Sequence, residues 1–279
     1  MSTDSGIDLK RYPIDELAGK AYEALVAKVR DQLQQDGCAV LSGFATESCV
    51  VALREEADRQ SQHAYTSTQR TNAYFGKDDP SLPSDHPIRR FFDRSNGFIP
   101  ADKFSKQGTL RKIHDHPNFD RFVRDCLEAK NFYRYADPLA DVIVNQAEAG
   151  NGFPWHFDTN NYTVTLAIQN AESGGEFEYA PNIRRDGENF EEVQAVLEER
   201  SIKVKRLTLE PGDLQLFKGR YSLHRVAPLH GQRKRYVAIF SYVEQPDMVG
   251  SPERTRQLYG RVLPIHLERA GLRADAYID

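Results

Sequence analysis

The 279-residue chain has three cysteines, one tryptophan and no long apolar run. Cys38, Cys49 and Cys126 are odd in number, widely spaced and in no CxxC pair. That excludes a disulfide framework and fits a reducing compartment. Cys38 and Cys49 are expected to be buried as small hydrophobes. No uninterrupted apolar stretch approaches the ~20 residues of a membrane helix. The first six residues lack the basic-then-apolar pattern of a leader, so the expected location is cytoplasmic. A basic surplus is also missing: 37 Lys and Arg stand against 41 Asp and Glu, for a formal charge of -4. This leaves no electrostatic footprint for nucleic acid. Arg184-Arg185 reads as a solvated face. The partner expected is therefore a small molecule, neither nucleic acid nor membrane, with the oligomeric state left open.

What the chain does have is ordinary globular texture, 39% hydrophobic and 28% charged, at a length that can bury a core without staples. Leu17, Ala21, Leu25, Val29 and Leu33 recur every four residues and predict a helix over 14–35, stopped at Asp36-Gly37. Cys38 to Leu41 reads as a short buried strand, followed by a helix over about 48–62. Residues 63–113, broken by Pro80, Pro83, Pro87 and Pro100, read as a lid or as plain connecting loop. A helix over about 118–135 follows. After Pro138 the texture changes to short β-rich runs at 142–144, 162–169, 176–179, 202–209, 214–217 and 236–242. Gly-rich and Pro-Gly turns separate them. Such a pattern predicts a β-sandwich or barrel with packed helices. The expected organisation is a single domain over 1–279. Residues 1–137 form a helical support and lid, 138–250 the β core with a helical insert at about 189–200, and 251–279 a C-terminal part with a helix over about 252–270.

Chemistry concentrates in Trp155-His156-Phe157-Asp158. In a strand, residues i and i+2 share a face, so His156 and Asp158 can converge on one point. An imidazole and a carboxylate suit iron(II), and a second imidazole would complete a facial triad with open positions. His224 is the candidate, in a strand-turn-strand segment that runs from Pro211 to Val226. A pair HxD alone can equally be a buried His bonded to a nearby Asp; the distant His and the arginines beyond it raise the signal. The open positions suit O2 and a bidentate 2-oxo acid, and a dicarboxylate of that kind needs its far carboxylate held, which a guanidinium does bidentately. Arg235 and Arg233 share strand parity and both qualify. Arg235 is preferred because Arg233 sits nearer the Gly231 turn.

These residues resemble the iron(II)/2-oxoglutarate-dependent dioxygenases of the jelly-roll, or double-stranded β-helix, fold. Their pattern is HxD, a distal His and a basic residue some ten positions later. Longer segments, at 156–166, 174–181 and 212–226, resemble a subgroup acting on free amino acids: the radical lysine halogenases and their hydroxylase relatives. The resemblance implies Fe(II), 2-oxoglutarate and O2 as cofactor and cosubstrates. It also implies oxidative decarboxylation of 2-oxoglutarate coupled to C–H oxidation. Halogenases of the group carry Gly where this chain has Asp158, which implies hydroxylation here instead of chlorination. Lysine-acting relatives place an acid at the position of Thr159, so an uncharged substrate side chain is the expectation.

Arg94 is a candidate grip for a substrate carboxylate, with an ion pair to Asp93 as the alternative. Glu176 and Glu178 could face substrate or solvent. His114-Asp115-His116 reads as a turn and helix start before Pro117, while His63, His86, His230 and His266 read as isolated surface or packing residues. Trp155 reads as a barrel wall. The rival functions are desaturation or ring closure at the same iron, an oxidase of this fold that does without 2-oxoglutarate, and a non-catalytic jelly-roll module holding a small acid or a metal. The triad is directly testable. His156→Ala, Asp158→Ala and His224→Ala are each expected to abolish iron-dependent turnover with the circular dichroism spectrum unchanged. Full turnover in any one, at equal iron supply, removes that residue from the triad.

Overall fold

Alternation of side chains along seven strands builds the larger of two facing sheets. In a computed structural model that describes residues 5–269, its order is Cys38–Leu41, Leu214–Phe217, Thr163–Gln169, Arg235–Phe240, Val142–Ala147, Phe92–Ile99 and Tyr65–Thr71, all antiparallel neighbours. One face carries Val142, Val144, Val164, Leu166, Leu214, Leu216, Tyr236, Ala238 and Phe240 into the main core. The helices Lys20–Asp36, Glu47–Gln60 and Phe119–Leu127 cover that face. The opposite parity, Thr163, Thr165, Gln215, Arg235, Val237 and Ile239, is left for the interior between the sheets. The smaller sheet runs Lys205–Leu207, Phe177–Ala180, Leu223–Val226 and Phe153–His156. This is the jelly-roll architecture with flanking helices that the β-rich second half predicts.

Details differ from the sequence expectations for physical reasons. The first helix starts at Lys20 and buries Tyr22, Val26, Val29 and Leu33, with Ala21 exposed. A spacing of four drifts off a 3.6-residue turn, whereas 4-3-4 stays on one face. Gly37 ends it as expected, at φ 63° with its N–H on the Leu33 carbonyl. The stretch 63–113 is more than a lid or loop: it supplies the edge pair Tyr65–Thr71 and Phe92–Ile99. The prolines expected to break it fall in the connection between those strands or just after the second. The polar run of Tyr65–Thr71 masks an edge strand, which needs only one buried face. The helix expected over 118–135 stops at Leu127, where Glu128 turns left-handed (φ 53°), and Tyr133–Arg134 pairs instead with Tyr242–Val243. The helix expected over 252–270 is two helices, Pro252–Tyr259 and Pro264–Glu268, split by Gly260 at φ 68° and by Pro264. Its last expected residue lies outside the described residues.

The insert helix Phe190–Leu197 buries Val193, Val196 and Leu197 against Trp155, Phe157, Ala180 and Leu223. Trp155 thus packs on the outer side of the smaller sheet, with Arg225 stacked 4.7 Å above its ring. Cys38, Cys49 and Cys126 are all buried, and no disulfide joins any two of them. No described helix is long and apolar enough to cross a membrane. Leu216, fully buried under the helices, should dominate over any surface site in stability. Leu216→Ala is expected to cost about 2–5 kcal/mol in chemical denaturation. Ile202→Ser, at a residue 99% exposed, should stay within about 0.5 kcal/mol.

Candidate metal centre and substrate pocket

His156 and His224 face each other as cross-strand partners on the smaller sheet. Their ring centroids lie 4.2 Å apart. His156 Nδ1 donates to the Pro154 carbonyl at 2.7 Å, and His224 Nδ1 donates to the Ser222 carbonyl at 2.9 Å. A carbonyl can only accept, so each Nδ1 carries the proton and each Nε2 lone pair is left for the interior. Asp158 Oδ1 sits 3.4 Å from His224 Nε2 and 3.7 Å from His156 Nε2. The three ligand atoms lie within 4.8 Å of one another, and they are the sole such cluster among the described residues. Two imidazoles and one carboxylate on one side of a point fit the donor set of a facial iron(II) site.

Strand parity predicts the convergence of His156 and Asp158, but the strand ends at His156. Asp158 lies just beyond it, its N–H on the Gly219 carbonyl at 3.1 Å. Its Oδ2 accepts a hydrogen bond from the Thr163 hydroxyl. A Cβ placed on Gly219 would overlap that same oxygen. Gly219 is therefore the recess that lets the carboxylate reach the histidines, a role invisible without the fold. Burial alone would raise the Asp158 pKa; the neighbouring His224 and His156, with the Thr163 hydroxyl, outweigh it and hold the carboxyl below its usual range. Burial, then the neighbouring His224 and Arg94, push the His156 pKa well below the ordinary imidazole value, which favours the neutral ligand form.

The two candidate arginines line one cavity but differ in burial. Arg233 is exposed, and its guanidinium is spent on the Asn170 and Ala171 carbonyls at 2.9 and 2.8 Å. Arg235 is buried, with burial the sole influence bringing its pKa down to about 10, and no carboxylate of the described residues acts on it. It lines a cavity of about 520 Å³ together with Gly175 and Phe177, and the Phe177 ring lies 5.6 Å from that of His224. A buried cation without a counter-ion is costly, and an anion entering there removes the cost.

His156 and Asp158 also line a pocket of about 150 Å³, together with Arg94, Phe75, Thr159, Asn160, Ser241 and Arg254, among others. Arg94 does not pair with Asp93, which points outward to Arg70 at 3.6 Å. It is buried instead, stacked on Phe75 and Phe153 at 4.8 and 4.9 Å. Burial, and secondarily Arg254, lower its pKa to about 9 against the pull of Asp158. Thr159 lines the pocket while its carbonyl accepts from Arg220. Phe75 is held at φ 56°, rare and strained for a bulky residue. Arg254, Phe75, Gly219 and Thr163 escape sequence reasoning. Thr163 and Gly219 lie inside the family-like segments, but nothing in the spacing of Phe75 or Arg254 points to the site.

Several other candidates are absorbed by the structure. Glu178 is buried between Arg225 and Arg206, at 2.5 Å from each, and so serves the sheet and not the pocket. Glu176 lines the Arg235 cavity. His114 is fully buried, 5.7 Å from Phe240 in a stacked geometry, and away from the triad cluster. His266 is neither isolated nor on the surface: its Nε2 meets Asp137 Oδ2 at 3.0 Å with both side chains buried. The Gly219 recess can be tested on its own. Gly219→Ala is expected to weaken divalent metal binding by about 10–100-fold, the range for residues that support a ligand. In an Asp158→Gly background the same change should do little, which titration calorimetry of the four proteins would resolve.

No curated protein matches the chain. Among solved structures it is similar to SnoK, a non-haem α-ketoglutarate-dependent carbocyclase from nogalamycin biosynthesis. Identity is 13% over 87% of this chain and 94% of that one, with a TM-score of 0.57. It is likewise similar to the epimerase SnoN in complex with Fe3+, α-ketoglutarate and nogalamycin RO, at 14% identity over 80% and 84% of the two chains, TM-score 0.55. HygX from Streptomyces hygroscopicus, solved with nickel, 2-oxoglutarate and hygromycin B, aligns at 12% identity over 78% and 87%, TM-score 0.54. At such identities the likeness shows the fold alone, and one fold hosting a carbocyclase and an epimerase leaves the reaction open. A family model described as Halogenase D matches residues 21–259. The chain, with a jelly-roll fold of the iron(II)/2-oxoglutarate oxygenase type and a His-Asp-His cluster at its centre, belongs to the Halogenase D family.

Proposed function

We propose that the chain is an iron(II)/2-oxoglutarate-dependent oxygenase that oxidises an aliphatic C–H bond of a free amino acid or similarly small molecule, by hydroxylation and without chlorination. The carrying observation is Asp158, whose carboxylate stands 3.4 and 3.7 Å from the two imidazoles. It fills the position that halogenases of this group leave to a halide, so the family's name does not extend to this chain's product. His156, Asp158 and His224 would hold the metal. Iron with 2-oxoglutarate and O2 supplies the power to break an unactivated C–H bond.

The chain's own residues supply binding and orientation. Arg235 receives the far carboxylate of 2-oxoglutarate in the interior, where its charge has no other partner among the described residues. Arg94 receives the substrate's α-carboxylate, and Phe75 and Phe153 on its faces exclude water from that ion pair. Thr159 presents no charge to the side chain, which disfavours lysine and leaves an uncharged side chain as the simplest expectation. The pocket beside the triad, about 150 Å³, has room for the reacting end of a small substrate, and it shares Phe75, Thr159, Asn160 and Ser241 with a neighbouring pocket of about 630 Å³. In this reading residues 138–250 carry the catalytic core, those before it support and cover it, and the enzyme works in the cytoplasm.

Two measurements test the proposal. Arg235→Ala is expected to raise the 2-oxoglutarate concentration needed for half-maximal succinate formation by about 10²-fold, since stripping one partner from a buried pair costs about 3–5 kcal/mol. Arg233→Ala should change it little; the reverse ranking would exchange their roles. The purified protein, supplied with iron(II), 2-oxoglutarate, oxygen, chloride and the common amino acids, should give a product heavier by one oxygen. Chlorinated products, or succinate coupled only to a peptide or nucleotide, would overturn the proposal.

A further inference from the structure

The loop that carries Phe75 against the metal centre is held by one buried side chain. Phe75 lies at φ 56°, where glycine is at ease and a bulky residue is strained. Such a residue persists only where its surroundings over-determine it. Here the surroundings are the carboxamide of Asn72, a residue 1% exposed. Its Nδ2 donates to the Gly76 carbonyl at 3.2 Å and to the Ile88 carbonyl at 2.6 Å. Its Oδ1 accepts from the N–H groups of Tyr74 and Gly76, both at 3.0 Å. Both donors of the amide, and both lone pairs of its oxygen, are therefore used on or beside this loop. The Phe75 N–H closes the turn on the Asn72 carbonyl at 3.2 Å. A further bond ties the loop to the ligand-bearing segment. The N–H of Phe157, between His156 and Asp158 in the chain, donates to the Ala73 carbonyl at 2.8 Å.

What this arrangement fixes is a ring. Half-buried Phe75 lines the pocket beside the triad, its centroid 5.4 Å from that of His156 and 4.8 Å from the guanidinium carbon of Arg94. Phe153 stands 4.9 Å from the same carbon and 5.9 Å from His156. The backbone of Arg94 is set independently, in the strand Phe92–Ile99, where it pairs with Gln69. A long, free side chain loses rotamer freedom when it grips an anion; one already stacked on aromatic rings loses less. With its strand and its head both fixed, the guanidinium holds a carboxylate at a set distance from the triad, as positioning for reaction requires.

We propose that Asn72 and Phe75 are positioning residues of this pocket. The buried carboxamide keeps Phe75 in its left-handed conformation, and the ring keeps the Arg94 guanidinium in the attitude that receives a substrate's α-carboxylate beside the triad. This deepens the functional reading and rests on it for the carboxylate that Arg94 receives; the uncharged substrate side chain stands as it was.

The test is calorimetric binding to the protein loaded with manganese(II) and 2-oxoglutarate. The probes are L-valine, L-leucine, L-methionine and L-glutamine, each beside its α-carboxamide. At least one free amino acid is expected to bind about tenfold or more tighter than its carboxamide, as a hydrogen bond to a charged group allows. Phe75→Gly, which eases the backbone and removes the ring, should cut that ratio to about threefold or less, while Phe75→Tyr keeps it. Asn72→Ala should cut it similarly, with no further loss in a Phe75→Gly background, because both act through one ring. Thermal melts report folding. Should Asn72→Ala unfold the protein, Asn72→Asp, which keeps the two accepted bonds, takes its place. A merely structural role would lower the melting temperature and leave the ratio alone. A ratio that survives Phe75→Gly, or losses from the two variants that multiply, overturns the inference. So does equal affinity within every pair, or no binding by any, in the unaltered protein. Succinate formation with iron(II) judges the oxygenase reading separately. Iron-dependent product with a ratio indifferent to Phe75→Gly sinks this inference and keeps that reading; a ratio that collapses in a protein giving no such product does the reverse.

Discussion

Three ligand atoms must meet at a point inside a β-sandwich, and the register between two short strands decides whether they can. His156 and His224 are direct partners across that register. A slip of one residue would turn His224 to the other face of the sheet. Carbonyls two residues back in the chain, Pro154 and Ser222, then orient the rings. Asp158 follows only because the chain leaves the strand at His156 and drops its carboxylate against Gly219. The strand pairing, the ring tautomers and the missing side chain at Gly219 are thus one constraint seen at three places.

The two sheets divide the labour. One face of the larger sheet is closed by helices and supplies most of the buried apolar area; its other face is left for Arg235, Thr163, Thr165 and Gln215. A polar or charged interior is costly unless every group finds a partner. Thr165 and Gln215 find each other at 3.1 Å. Arg235 has no carboxylate acting on it among the described residues, and Arg94 has only Asp158 of the triad. Small acidic ligands are what such a distribution of charge is suited to receive.

Family membership and local chemistry pull in different directions on the product. The family is named for halogenation, yet the triad here is complete, with its carboxylate fixed by Thr163 and accommodated by Gly219. That is why the site, and not the fold, decides the reaction.

Much of this was legible in the residues alone. The alternation after Pro138, the turn signals and the stop at Gly37 follow from backbone sterics, so they determined the jelly roll and the helices that flank it. His156, Asp158, His224 and the pair Arg233 and Arg235 could be named because their residue types are rare in such a pattern and because chemistry demands them. Parity could not separate the two arginines, since both share it. They differ in burial: one guanidinium bonds two backbone carbonyls and the other lies in the interior. The edge strands within 63–113 were hidden because a strand with one buried face needs few apolar residues. The Gly219 recess, the strained Phe75 and the approach of Arg254 to Arg94 join segments far apart in the chain. No local periodicity encodes such a meeting; only the packing of the C-terminal helix and the closure of the two sheets produce it.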